Sequence, residues 1–242
     1  MFLAPKVAPV AKNPDVLTYR ALRKAVGIVA IGLAFALAIP LLFLPGGVLA
    51  SSISGYYYTG MRDLFVGSLC AISMFMGCCR GYDRADRIAG VCSSLFALGV
   101  AFFPTEPDFG MTPLQHRVGI VHYVFAALLF LTLAYFCLVL FRMTAENKTV
   151  TRKKRQRNGV YLVCGWIIVG SVLSLALLKL FEWLGWFNVG SLREKLHTTI
   201  CFETLALVAF GFAWLVKGEG LLKDEGVISS ATVTSDALFA AK

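Results

Sequence analysis

The chain has 242 residues, of which 58% are hydrophobic and only 15% are charged, and its mean hydropathy is +0.74. Soluble domains are usually about 45–50% apolar and about 25% charged, so this composition excludes an ordinary soluble globular protein. The formal net charge of +9 would favour nucleic-acid binding in a soluble chain. Membrane proteins, however, concentrate Lys and Arg on their cytoplasmic side, so we expect no nucleic-acid partner.

Six apolar runs follow a short polar N-terminal arm. A bilayer core about 30 Å thick needs roughly 20 apolar residues in a helix, and the runs approach or exceed that length. We therefore predict an all-α integral membrane bundle of six transmembrane helices. The predicted spans are 25–45, 62–79, 88–103, 118–141, 159–181 and 196–216. The predicted segments are a cytoplasmic arm at 1–24, the transmembrane domain at 25–216 and a flexible cytoplasmic tail at 217–242.

The distribution of positive charge predicts how the bundle is oriented. With the N-terminus inside, the inside segments hold eighteen Lys and Arg residues and the outside loops hold four. The positive-inside rule then predicts that both termini are cytoplasmic, and we expect the cell (inner or plasma) membrane. This rule alone explains the densest basic segment, 152–157, although contact with anionic lipid headgroups is an alternative.

Polar residues gather on the outward side of this topology. The first outward loop, at 51–63, contains three serines, three consecutive tyrosines and an Arg-Asp pair. Tyrosine is ordinary at a membrane boundary, but a pocket for a lipid headgroup or a small polar ligand would use such a concentration of donors. The predicted ligand-binding residues are Ser54, Tyr57, Arg62, Asp63 and Glu203.

Ionisable side chains inside membrane spans are rare and are usually functional. The candidates in this chain are Asp63, His122, Lys179 and Glu203. Lys179 and Glu203 lie at similar depths below the outward ends of neighbouring helices, so we predict that they form an ion pair. In the alternatives, Lys179 extends to the surface or meets Glu182 three residues later on its own helix.

The three histidines suggest a metal site, because imidazole is the commonest side-chain ligand of metal ions. In this hypothesis His116, His122 and His197 bind zinc, with Asp63 as the acid or base. His116 and His122 are six residues apart and therefore do not share one face of a helix. In the alternative, His116 only begins a helix and His122 bonds to Ser, Tyr or Asp on another helix. We expect no cofactor, with zinc as the alternative.

The first part of the chain carries three short motifs that together resemble those of a known family. They are a Ser-x-Ile-Ser loop at 51–54, Phe103-Pro104 at the end of the third span, and a fourth span led by the histidines of 116–122. Over residues 25–145 this pattern resembles the six-helix membrane proteins of the DRAM/Sfk type and their bacterial relatives. The resemblance implies a six-helix bundle with cytoplasmic ends and a role linked to membrane lipid organisation or stress responses. Gly55 stands where that family often has an acidic residue.

The leading expectation is a non-catalytic multi-pass membrane protein with an outward polar pocket. Its expected partners are membrane lipids, together with a small molecule or a lipid headgroup as ligand. One alternative is a metal-dependent membrane lipid hydrolase, since alkaline ceramidases use Ser, Asp and three His around zinc. This chain lacks their His-x-x-x-His pair and has one span fewer. The other alternative is a small-solute or proton transporter that uses Glu203, Lys179 and His122.

Overall fold

The computed structural model describes residues 14–39, 50–79, 84–144, 151–185 and 197–219, and every regular element in those ranges is a helix. The helices are α1 (Pro14–Ala36), α2 (Arg62–Cys78), α3 (Arg84–Phe102), α4 (Pro113–Tyr135), α5 (Arg152–Trp183) and α6 (Thr198–Lys217). A 3-10 helix (Ser54–Tyr58) precedes α2, and a π-helical segment (Phe136–Leu140) extends α4. The prediction of an all-α protein with six long helices is confirmed.

Four of the six helices are long and apolar enough to cross a membrane, namely α3, α4 with its π-helical extension, α5 and α6. The first half of α1 carries Arg20, Arg23 and Lys24, and its apolar run continues into 40–49, outside the described residues. The 17 residues of α2 give a length of about 26 Å, slightly less than a typical bilayer core. Membrane crossing by α1 and α2 stays a prediction.

Two helices begin earlier than hydropathy predicted. α1 is already helical at Pro14, the first described residue, rather than from near residue 25, and proline is well tolerated in the first turn of a helix. α5 begins at Arg152 rather than near residue 159, because the Thr151 side chain caps it by accepting a hydrogen bond from the Lys154 N–H. The basic segment 152–157 is therefore helical. Residues 1–13 of the predicted arm (1–24) and residues 220–242 of the predicted tail (217–242) lie outside the described residues.

The helices form a closed ring. Each helix packs against its neighbours in chain order, and α6 returns to pack against α1. Large side chains such as Trp214, Phe210 and Leu133 are fully buried inside the ring. The outer surface instead exposes large apolar side chains, including Met74 at 68% and Trp166 at 62%. Such a surface suits a lipid environment better than water.

The connections separate into two chemically different ends of the ring. The loop end comprises residues 50–61, residues 103–112 and the start of α6. The basic end comprises the starts of α1, α3 and α5 and the ends of α2, α4 and α6. At the basic end Arg20 pairs with Glu219 at 2.8 Å, and the Lys217 ammonium donates to the Phe141 carbonyl at 3.3 Å. The predicted outward loop at 51–63 and the loop between α3 and α4 therefore lie at the same end, whereas residues 186–196, predicted to lie on that side too, are outside the described residues.

The ring closes where the backbones of α1 and α6 meet at two glycines. A Cβ added to Gly27 would lie 2.6 Å from the carbonyl oxygen of Gly211, and a Cβ added to Gly211 would lie 2.8 Å from the carbonyl oxygen of Gly27. Small residues of this kind allow helices in membranes to approach closely, because lipid provides no hydrophobic force between helices.

We expect Gly27→Ala to destabilise the protein, because the added methyl group would meet backbone atoms that cannot move away locally. Overpacking of this kind costs about 1–3 kcal/mol, so the midpoint of thermal unfolding in detergent should fall by several degrees. Gly32→Ala is the matched control, since a Cβ at Gly32 in the same helix meets nothing within 4 Å. Equal midpoints for the two variants would contradict the role of the glycine contact.

Candidate ligand site

The carboxylate of Glu203 is fixed against the loop at residues 50–61. Glu203 lies near the start of α6, where the N–H of Ile53 donates to its Oε2 at 2.5 Å and the Ser54 hydroxyl donates to its Oε1 at 3.5 Å. The Ser52 and Ser54 hydroxyls lie 3.3 Å apart, and the Ser52 hydroxyl accepts the N–H of Gly55 at 2.9 Å. The serines of this loop therefore shape a turn that presents a backbone N–H to the carboxylate.

Glu203 lines a cavity inside the ring, with a volume of ≈ 60 Å³. The wall is largely apolar and comes from every helix except α5. Its polar lining groups are Ser54, His122 and Glu203. A polar cavity needs about 10–15 Å³ to hold one water molecule, so this one has room for several waters or a small part of a ligand. Apolar walls with a few convergent polar groups are typical of small-molecule sites.

His122 is oriented by the end of the neighbouring helix. Its Nδ1 lies 2.6 Å from the carbonyl oxygen of Phe103, so Nδ1 carries the proton that is donated. That carbonyl follows the last residue of α3 and has lost its helical partner, as the last carbonyls of a helix do. When the ring is neutral, Nε2 is therefore the acceptor nitrogen. His122 does bond to a neighbouring segment as predicted, but to a backbone carbonyl rather than to Ser, Tyr or Asp.

A second polar cluster surrounds Glu106 in the loop between α3 and α4. Its carboxylate accepts hydrogen bonds from His116 Nδ1 at 2.7 Å and from the Tyr123 hydroxyl at 3.0 Å, and the Lys179 ammonium lies 3.7 Å away. The side chain packs against Gly119, where an added Cβ would lie 2.4 Å from Glu106 Cγ. One carboxylate thus joins the α3–α4 loop to α4 and α5.

The predicted pair of Lys179 with Glu203 is wrong. Lys179 contacts Glu106 and also lies 3.9 Å from Glu182, as the alternative i,i+3 prediction had it. Glu203 bonds instead to Ile53 and Ser54. Residue spacing predicts how deep a side chain lies along a helix, but the direction in which it points depends on how the helices pack around the ring.

The five predicted ligand-binding residues fall into separate places. Ser54 and Glu203 are in contact and line the cavity. The Arg62 guanidinium donates to the Tyr57 hydroxyl at 2.9 Å and stacks over its ring, on the exposed side of the 3-10 helix. Asp63 is exposed in the first turn of α2. Of the five residues, Ser54 and Glu203 line the cavity.

The structure places the three histidines in three different local environments. Within the part of the chain that the structure describes, no group of three or more His, Cys, Asp or Glu side chains is arranged to hold a metal ion. His116 bonds to Glu106, His122 bonds to the carbonyl of Phe103, and His197 precedes α6 with a left-handed backbone. The zinc site stays a prediction.

Sequence reasoning did not select Glu106 or Tyr123, although both belong to a polar cluster at the loop end. One signal was present: Glu106 lies in a Pro-Thr-Glu-Pro segment on the same predicted side as Lys179 and His116. Tyr123 gave no signal, because tyrosine is common near a membrane boundary.

Comparison with family models, with curated proteins and with solved structures finds no match to this chain. The interpretation of the site therefore rests on the geometry described above.

The Glu106 cluster should make stability depend on pH in the acid range. Burial raises the pKa of the Glu106 carboxyl, but hydrogen bonds from Tyr123 and His116 and the charge of Lys179 outweigh it and hold this pKa below its usual value. In the unfolded chain a glutamate carboxyl has a pKa of about 4.3. Its stabilising effect is therefore complete above that pH and is lost as the pH falls through the lower folded-state pKa.

We expect Glu106→Gln to lower the unfolding midpoint at pH 7 and to flatten its decline between about pH 5 and pH 3. Asp63→Asn is the control, because it removes an exposed carboxylate at the same end. Thermal unfolding in detergent across this pH range measures both variants against the unaltered protein. A Glu106→Gln curve as steep as that of the unaltered protein would contradict the role of the cluster.

Proposed function

We propose that the protein is a multi-pass membrane protein with six transmembrane helices and both termini in the cytoplasm. Four sufficiently long, apolar helices support this proposal, as does the apolar outer surface of the ring. The separation of a basic end from the loop end is what the positive-inside rule expects of such a topology. On this basis the loop end faces outward, and the cell membrane is the proposed location.

We further propose that the cavity binds a lipid or a small molecule from the outward side. The observation that carries the proposal is the Glu203 carboxylate, held by the Ile53 N–H on the wall of an otherwise apolar cavity. A carboxyl group facing apolar walls selects a ligand that combines a hydrogen-bond donor, such as an amine, with a hydrocarbon part. The resemblance to the DRAM/Sfk-type proteins, which are linked to lipid organisation, is consistent with such a ligand.

Among the described residues no particular contact favours the hydrolase alternative, and the role of zinc in it stays a prediction. The transport alternative has one observation in its favour, because Glu203 and His122 line the same cavity. Lys179, its third predicted residue, belongs to the Glu106 cluster instead. Ligand binding uses only the groups that line the cavity, and we therefore prefer it.

Short alkylamines test the proposed chemistry. In a series from ethylamine to hexylamine, we expect a saturable rise in the unfolding midpoint of the purified protein, by about 3–6 °C at ten times the Kd. Glu203→Gln should abolish the rise while retaining an acceptor for the Ile53 N–H. Ser54→Ala should reduce the rise without abolishing it, because Glu203 loses the Ser54 hydroxyl but keeps its hydrogen bond from the Ile53 N–H.

Asp63→Asn is the matched control for charge, since Asp63 lies at the same end and does not line the cavity. It should respond to alkylamines as the unaltered protein does. An equal rise in Glu203→Gln, or an equal loss in Asp63→Asn, would refute the assignment of Glu203 as the ligand-binding carboxylate.

A further inference from the structure

A lipid-facing groove lies between α5 and α6 near the basic end. Its walls are apolar, and its volume is ≈ 530 Å³. The lining residues are Gly159, Val160, Val163, Cys164, Ile167, Leu205, Val208, Ala209 and Phe212. From residue 159 to residue 167 the groove extends about 12 Å along α5. Half of a bilayer core is about 15 Å thick, so the groove has nearly the depth of one leaflet.

Two arginines lie above the groove on the same face of α5. Arg155 precedes Gly159 by four residues and Arg152 precedes it by seven, and both intervals return to the same side of a helix. Both arginines are exposed. At 1.5 Å per residue, Arg155 stands about 6 Å above the upper limit of the groove. The segment 152–157 contains no acidic residue.

Other cations at the basic end have structural contacts. Lys154 donates to the carbonyls of Phe141 and Met143 at 3.0 and 3.2 Å, and Lys217 also donates to Phe141. The carboxylate of Glu219, at the end of α6, is paired with Arg20. Lys154 and Lys217 thus satisfy carbonyls at the end of α4, whereas Arg152 and Arg155 project from the outer surface above the groove.

We propose that this groove binds an anionic phospholipid, with one acyl chain along α5 and α6 and the phosphate against Arg152 and Arg155. The negative charge of the phosphate complements the two exposed guanidinium groups, and the apolar groove below them has nearly the depth of one leaflet and suits an acyl chain. Guanidinium groups bind phosphate through paired hydrogen bonds. The proposal rests on the membrane placement proposed above, but not on the Glu203 cavity, which shares no lining residue with the groove.

A second groove at the basic end provides an internal comparison. It lies between α3 and α4, has a volume of ≈ 470 Å³ and includes Ala85 and Ile88 in its lining. Arg84 precedes Ile88 by four residues and therefore lies on the same side of α3. Because one arginine rather than two lies above this groove at such an interval, we expect it to select an anionic headgroup less strongly. Arg84→Gln is therefore the matched control.

The test measures lipid retention by native mass spectrometry. The purified protein is equilibrated with equal amounts of phosphatidylglycerol and phosphatidylcholine that have the same acyl chains. We expect the unaltered protein and Arg84→Gln to retain the phosphatidylglycerol preferentially. Each of Arg152→Gln and Arg155→Gln should reduce this preference about fivefold, the effect of one basic residue near an anionic surface. Val163→Trp, which fills the groove, should reduce the retention of both lipids.

Three outcomes would overturn the proposal. They are the absence of any preference in the unaltered protein, an equal reduction in Arg84→Gln, and an unchanged preference in the Arg152→Gln, Arg155→Gln double variant. Unfolding midpoints in phosphatidylcholine alone establish that the variants are folded. Alkylamine binding is measured separately through Glu203→Gln, so failure of the lipid site and failure of the proposed cavity function are distinguishable.

Discussion

The closure of α6 against α1 is the contact on which the rest of the arrangement depends, because an open bundle would have no enclosed cavity. Three contacts along α6 produce it. Glu203 holds the loop that follows α1, Gly211 meets Gly27 at the middle, and Glu219 pairs with Arg20 at the basic end. They are spaced about 12 Å apart along α6, so the closure extends over the whole helix.

This closure combines two kinds of interaction that suit a membrane. The glycine contact uses close backbone packing, which remains effective where lipid surrounds the helices. The hydrogen bonds of Glu203 and the ion pair between Glu219 and Arg20 lie toward the two ends of the ring. Burying Glu203 costs free energy, because a carboxyl group removed from water needs hydrogen bonds to offset the loss of solvation. The backbone N–H of Ile53 supplies one without adding a second charge.

Hydropathy and charge were sufficient to predict the helix number, the all-α class and the gathering of Ser54, His122 and Glu203 at one end. They failed at helix starts, because apolar content does not mark the position of Thr151 as a cap or the tolerance of Pro14 in a first turn. Hydropathy and charge also failed to predict which carboxylate Lys179 contacts. Glu106 and Glu203 were both within reach in depth, and only the packing of α5 between α4 and α6 decides between them.

The size of the cavity links ligand binding to movement of the 3-10 helix. An occupant larger than the ≈ 60 Å³ observed would have to displace part of the wall, and Ile53 and Ser54 are the wall segment that is not part of a long helix. That segment is held by Glu203 on one side, and on the other by the Tyr58 hydroxyl, which donates to the Thr105 carbonyl at 2.7 Å. Displacing it therefore strains both contacts together. Because Thr105 adjoins Glu106, this movement would also be transmitted to the polar cluster on α4 and α5.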